Sequence, residues 1–154
     1  DGYNLRLTEL QAGFGIQQLP KLESIVNKRI DNTKKYKSKL SELSKYFSFQ
    51  ENSKKGFSSC FGFPLLVKEN SGINIKRLTK FLNENAIETR AIICGNIAKQ
   101  PAMKLYNHKV FGDLSNANNV MINGFSFGNH QNINEEAIDY VVEKIKEFIL
   151  KKKN

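Results

Sequence analysis

CFGFPLLV, residues 60–67, is a short apolar run with Ser58-Ser59 before it and Lys68-Glu69-Asn70-Ser71 after it. A run of this length, rich in aromatic and branched side chains and bounded by polar residues, predicts a β-strand. Pro64 has no N–H to give to a ladder, so it must lie at an edge, at a bulge or at an unpaired position. Working outward decides what the strand packs against. Residues 48–59 are polar and irregular, a loop. Before them, residues 8–47 have a helical pattern. Pro20 splits it into two consecutive helices or one kinked helix, because Pro is tolerated in the first turn of a new helix. In the second piece Leu22, Val26, Ile30, Thr33, Tyr36, Leu40 and Leu43 recur at steps of three and four, one apolar stripe of a long amphipathic helix. Gly13 and Gly15 sit inside the first piece, where each costs about 1 kcal/mol relative to Ala, so close packing is expected there.

Downstream, Asn74 is a good N-cap for a helix to about Asn85. Ile73 is placed to staple against Leu78, and Leu78, Phe81 and Leu82 supply the buried face. Residues 88–94 predict a short strand bounded by Gly95-Asn96. Residues 97–119 lack periodicity, and a loop that long is usually functional or partly disordered. Residues 120–128 predict another strand. Asn134 caps a last helix, with Ile133 and Ile138 in staple positions and a stripe of Ile138, Val141, Val142, Ile145, Phe148 and Ile149. The order of elements predicts an α/β or α+β layered fold, helices packed on a small sheet. No internal repeat or boundary divides residues 1–154.

The 154 residues are 40% hydrophobic and 25% charged, a globular composition. No apolar run is long enough to span a bilayer. Cys60 and Cys94 lack metal-ligand spacing and read as two reduced thiols of a cytosolic protein. The net charge of +9 comes mostly from lysine; only Arg6, Arg29, Arg77 and Arg90 are arginines. Lysines interleaved with Ser, Asn and Glu along a helix form a solvated face. With no basic-aromatic platform and no zinc-finger spacing, a nucleic-acid-binding domain is the disfavoured reading.

The chain opens with Gly2-Tyr3-Asn4-Leu5-Arg6-Leu7-Thr8-Glu9-Leu10-Gln11-Ala12. Thr8 and Gln11 have capping-box spacing, so Asn4 and Arg6 stand at the mouth of a helix, where an anion can be held. Alone, this is an ordinary capped turn. It gains weight from three further stretches in order: Phe61-Gly62-Phe63-Pro64; Glu88-Thr89-Arg90 with Gly95-Asn96 and Gln100-Pro101; and Asn116-Ala117 leading to Asn123-Gly124-Phe125. Together they resemble the C-terminal part of the DegT-type sugar aminotransferases and their dehydratase relatives, over nearly the whole chain. The Thr-Arg, Gly-Asn and Gln-Pro series is most similar to nucleotide-sugar 3-dehydrases of the CDP-4-keto-6-deoxyglucose type, from surface polysaccharide and lipopolysaccharide biosynthesis.

The resemblance implies the small C-terminal domain of a fold type I pyridoxal phosphate (PLP) or pyridoxamine phosphate (PMP) enzyme, cytoplasmic and homodimeric. The cofactor-binding N-terminal domain is then missing from these residues, and the abrupt start at Asp1 is expected to be that join. The implied substrate is a nucleotide-linked 4-keto-6-deoxy sugar, with a reductase as a further partner. The cofactor amine would condense with the C4 ketone and its ring would act as an electron sink, so that hydroxide leaves C3. A Lys at the cofactor-base position would favour transamination and a His dehydration; that position lies upstream, as would any iron–sulfur ligands. No catalytic residue is therefore expected here. Asn4 and Arg6 are implied cofactor-binding residues, contributed to the phosphate of the neighbouring subunit. Arg90, Asn96, Gln100 and His130 are implied substrate-binding residues. Each has a structural alternative: a turn amide for Asn4, ion pairs for Arg6 and Arg90, loop caps for Asn96 and Gln100, an exposed lone His for His130. The run Phe125-Ser126-Phe127-Gly128-Asn129-His130 departs from the family, whose relatives commonly have an aromatic before the Gly and Pro-Gly after it.

Overall fold

The computed structural model describes residues 6–151, so Asn4 lies outside the described residues. Helices α1 (Glu9–Gln18) and α2 (Leu22–Leu40) are joined by a 3-10 turn, Leu19–Lys21, with Pro20 in its first turn. Strands β1 (Phe47–Phe49) and β2 (Gly62–Val67) follow, then α3 (Ile75–Glu84), β3 (Thr89–Ala91), α4 (Ser115–Asn123), β4 (Gly124–Gly128) and α5 (Glu135–Lys151). The sheet has the order β1-β2-β4-β3 and is antiparallel throughout. This is an α+β layer: α2, α3 and α5 cover one face of the sheet.

The core is built from that face. Phe63, Leu65, Val67, Phe125 and Phe127 meet Tyr36 and Leu40 of α2, Leu78 and Leu82 of α3, and Ile138, Val142 and Ile145 of α5. The Tyr36 ring lies 5.0 Å from Phe63 and 5.1 Å, edge-on, from Phe127. Burial pushes the Tyr36 hydroxyl up to about 12. The stripe of α2 sinks into this core only toward its C-terminal half, since Leu22 is exposed while Tyr36 and Leu40 are buried. The helix starts follow local chemistry. Asn74 Oδ1 accepts from Arg77 N at 3.1 Å, Asn134 Oδ1 accepts from Ala137 N at 3.0 Å, and Thr8 and Gln11 form the full capping box.

Two expectations need correction. Residues 120–123 are the end of helix α4, not strand; only Gly124–Gly128 pairs. Ahead of the helix, whose N-cap is Leu114, the Asp113 carboxylate accepts from the Ser115 backbone and hydroxyl, both at 3.0 Å. Apolar Val120-Met121-Ile122 carries the local signal of a strand, and only its tertiary setting makes it helical. Phe47–Phe49, expected to be a helix end and loop, pairs with β2 because both Phe47 and Val67 bury there. A Cβ added at Gly13 or Gly15 would meet nothing within 4 Å, so among the described residues nothing packs closely on them. Pro64 pairs with Ser126 on one side, and β1 ends with Phe49 opposite Leu65, so at Pro64 the strand has a neighbour on one side only.

Helices α2 and α5 are also joined at the surface. Lys35 and Lys39 both reach Glu135, and Lys39 reaches Asp139 at 2.5 Å. On α5, hydrogen bonds from Lys144 and Lys151 draw the Glu147 carboxyl down to about 2 from an ordinary 4.5. A depressed carboxyl adds stability above its unfolded value and loses it as pH falls through its folded value. Glu147→Gln is therefore expected to flatten the acid-side fall in stability between pH 4.5 and about 2. Urea midpoints across that window check this, and parallel curves for the variant and the parent would refute it.

Candidate functional site

The two faces of the sheet differ in kind. Side chains alternate along a strand, so the face away from the helical layer carries Gly62, Pro64 and Leu66 of β2, Gly124, Ser126 and Gly128 of β4, and Arg90 of β3. The register aligns Pro64, Ser126 and Arg90 in one row. Small side chains around it leave Arg90 as the long charged group of this face. Its side chain is 77% exposed and its guanidinium meets Glu88, itself 72% exposed. An exposed pair of this kind is worth little in water. The planar fork can therefore turn to a phosphate or carboxylate at small cost. A shallow groove of about 310 Å³ opens beside it, lined by Lys76, Thr79, Arg90, Met121 and Ile122 among others. A groove of about 370 Å³ at the opposite edge, around Lys45, Ser48, Lys68 and Asn119, contains none of the candidate residues.

Asn96 and Gln100 lie at the end of the sheet where β3 finishes and β4 begins, in the loop after Ala91. Both are tied into the chain itself. Asn96 is 2% exposed; its Oδ1 accepts from Ala98 N at 3.0 Å and its Nδ2 donates to Asn118 Oδ1 at 2.8 Å. Gln100 Nε2 donates to Cys94 O at 2.7 Å. Gly95 completes the clasp. Its φ is +55°, and a Cβ there would lie 2.6 Å from Met121 Cα, so the loop sits directly on α4. Beyond the clasp the loop is cationic and apolar at its surface, with Leu105, Tyr106 and Phe111 exposed.

His130 is elsewhere. It follows Gly128, which pairs with Gly62 at the other end of the sheet. At about 3.3 Å per residue, the length of β4 separates it from the Asn96 loop. His130 is exposed, and its Nδ1 accepts from Asn132 N at 3.2 Å. The structure thus brings Asn96 and Gln100 together and puts Arg90 on the strand that feeds their loop, without bringing His130 to them. Arg6 is exposed, two residues ahead of the Thr8 cap.

Three buried or half-buried amides escaped sequence reasoning: Asn118, Asn129 and Asn32. Asn129, 1% exposed, donates to Arg29 O, Thr33 Oγ1 and Cys60 O, joining three segments. In a chain this rich in Asn, nothing local distinguishes a structural amide from a surface one. Cys60 is buried, Cys94 is exposed, and both thiols are free. Among the described residues no group of His, Cys, Asp and Glu could hold a metal, and no helix is long and apolar enough to cross a membrane.

The chain resembles known proteins along nearly its whole length. It is 37% identical over 147 residues to the lipopolysaccharide biosynthesis protein RfbH of Salmonella typhimurium, covering 96% of this chain and 34% of that protein. It is 35% identical to GDP-4-keto-6-deoxy-D-mannose 3-dehydratase of Escherichia coli O55:H7, covering 94% and 37%. The solved E. coli GDP-4-keto-6-deoxy-D-mannose-3-dehydratase with bound hydrated PLP superposes with a TM-score of 0.86 at 34% identity, over 94% of this chain and 36% of that one. Helicobacter pylori PseC, an aminotransferase, shares the fold with a TM-score of 0.81 at 21% identity. The chain spans about a third of the length of these relatives. The model of the DegT/DnrJ/EryC1/StrS aminotransferase family matches residues 1–146, and the chain belongs to that family.

Proposed function

We propose that this chain is the C-terminal domain of a PMP- or PLP-dependent nucleotide-sugar 3-dehydrase, acting on a 4-keto-6-deoxyhexose in surface polysaccharide biosynthesis. The observation that carries this reading is Arg90, an exposed guanidinium on the face of the sheet away from α2, α3 and α5, in a chain similar to named 3-dehydratases. Arg90 binds the diphosphate or sugar, as a bidentate donor to oxyanions. The Asn96–Gln100 clasp fixes the loop that follows β3, the strand that carries Arg90. Arg6, with Asn4, serves the cofactor phosphate, and its place ahead of a capped helix N-terminus suits an anion. When bound, the cofactor supplies an amine and an electron sink. No catalytic residue is assigned to this chain; its residues bind and position.

The enzyme works as a cytoplasmic homodimer. Leu10, Phe14 and Ile16 of α1 and Leu19 of the turn after it are each more than 60% exposed, an apolar surface suited to cover by the cofactor domain or the second subunit. The test uses the longest natural protein that contains this chain. Supplied with PMP and a nucleotide-linked 4-keto-6-deoxyhexose, it should release the C3 hydroxyl, followed by NMR of the sugar. Transfer of an amino group to C4 as the final product would instead make it an aminotransferase. Arg90→Ala is expected to raise KM about 10- to 100-fold with a smaller change in kcat, the loss of one charge-assisted hydrogen bond of about 1.5–3 kcal/mol. Arg77→Ala on α3 is the control, and equal effects of the two variants would remove Arg90 from the site.

A further inference from the structure

We propose that the junction of α2 with the end of β4 is a binding site for an internal water molecule, which bridges the side-chain oxygens of Asn32 and Asn129. Both residues are essentially sealed from solvent, at 0% and 1% exposed. Their amide nitrogens are used: Asn32 Nδ2 donates to His130 O at 3.1 Å, and Asn129 Nδ2 donates to Arg29 O at 3.2 Å, Thr33 Oγ1 at 3.1 Å and Cys60 O at 2.8 Å. Their oxygens are not. Asn32 Oδ1 and Asn129 Oδ1 are buried and have no hydrogen-bond partner among the described residues, and the same holds for Gln131 Oε1 and Arg29 Nε.

The residues that carry these atoms share one junction. Arg29, Asn32 and Thr33 are neighbours on one face of α2, and the two amides bind across to Cys60 and to residues 129–130. Swapping the oxygen and nitrogen of Asn129 would point an oxygen at three acceptors, so its assignment stands. Three unpartnered acceptors and one unpartnered donor define the ligand. An anion would face amide oxygens. A cation would face the Arg29 guanidinium, which is held over the Phe61 ring at 5.5 Å. Water both accepts and donates, and buried waters typically make about three hydrogen bonds to such groups. It accepts from Arg29 Nε and donates to the two Asn oxygens. Bound there, it fastens the turn at residues 129–133, which carries His130 and Gln131, to α2. The site is independent of the function proposed above.

A crystal structure of the protein carrying this chain tests the site directly. The expected result is ordered density within about 2.7–3.2 Å of both Asn oxygens. Arg29 Nε turned directly onto Asn129 Oδ1, or a dry site, would overturn it. In solution, a long-lived water should give cross-relaxation peaks to the Asn129 side-chain amide protons of the wild type, and their absence would equally count against it. Asn32→Leu should abolish those peaks; peaks that persist in the folded variant would mean that Asn32 takes no part.

Discussion

Truncating Phe127 to alanine is expected to cost about 3–5 kcal/mol of folding stability. Phe127 is 3% exposed and sits in β4, the strand flanked by β2 and β3. Its ring meets Tyr36 at 5.1 Å, Phe63 at 5.4 Å and Phe125 at 6.4 Å. It therefore joins the sheet to α2 at the centre of the core. The lost ring forfeits both its burial and the contacts of the three rings around it, which the strand backbone cannot close up to replace. Against a total of about 5–15 kcal/mol for a domain, this is a large fraction. Urea unfolding of the variant should show a lower midpoint with an unchanged slope. Ser126→Ala, one residue away on the opposite face, is the control. A loss for Phe127→Ala no larger than that of the control would mean that the core is not organised around this ring.

Gly95→Ala should be the most damaging change in the candidate site. Two effects act together, each about 1–3 kcal/mol: a side chain at φ +55° and overpacking against α4. The atoms met by the new methyl include Met121 Cα, so a rotamer change cannot relieve the clash; loop or helix has to move. Movement would open the Gln100–Cys94 bond and expose Asn96. The check is thermal unfolding together with the NMR shifts of the Asn96 and Gln100 side-chain amides. Gly13→Ala and Gly15→Ala, which meet nothing within 4 Å, should instead stabilise α1 by up to about 1 kcal/mol each. A Gly95→Ala protein with the parent's melting temperature and amide shifts would show that the loop does not depend on this contact.

Much of the helical layer was legible in the residues. The stripes of α2 and α5, the breaks at Pro20, and the caps at Thr8, Asn74 and Asn134 are local signals, set by side-chain periodicity and by hydrogen bonds within a few residues. So was β2, as a short apolar run bounded by polar residues; its alternating burial came with the fold. The candidate residues were legible only by resemblance. Their surroundings were not: a buried Asn96 and an exposed Arg90 look alike as polar residues near glycine.

The sequence by itself determined the helix starts at Thr8, Asn74 and Asn134, the apolar faces of α2 and α5 and the family, because each is written in short-range order or in matched motifs. The tertiary structure alone decided that Val120-Met121-Ile122 is helix, that Phe47–Phe49 is strand, and that His130 stands at the opposite end of the sheet from Asn96 and Gln100. Those outcomes depend on strand register, on the seat of Gly95 against Met121 and on amides paired across 22 to 100 residues of chain. Such contacts join residues far apart along the chain, so no local pattern announces them.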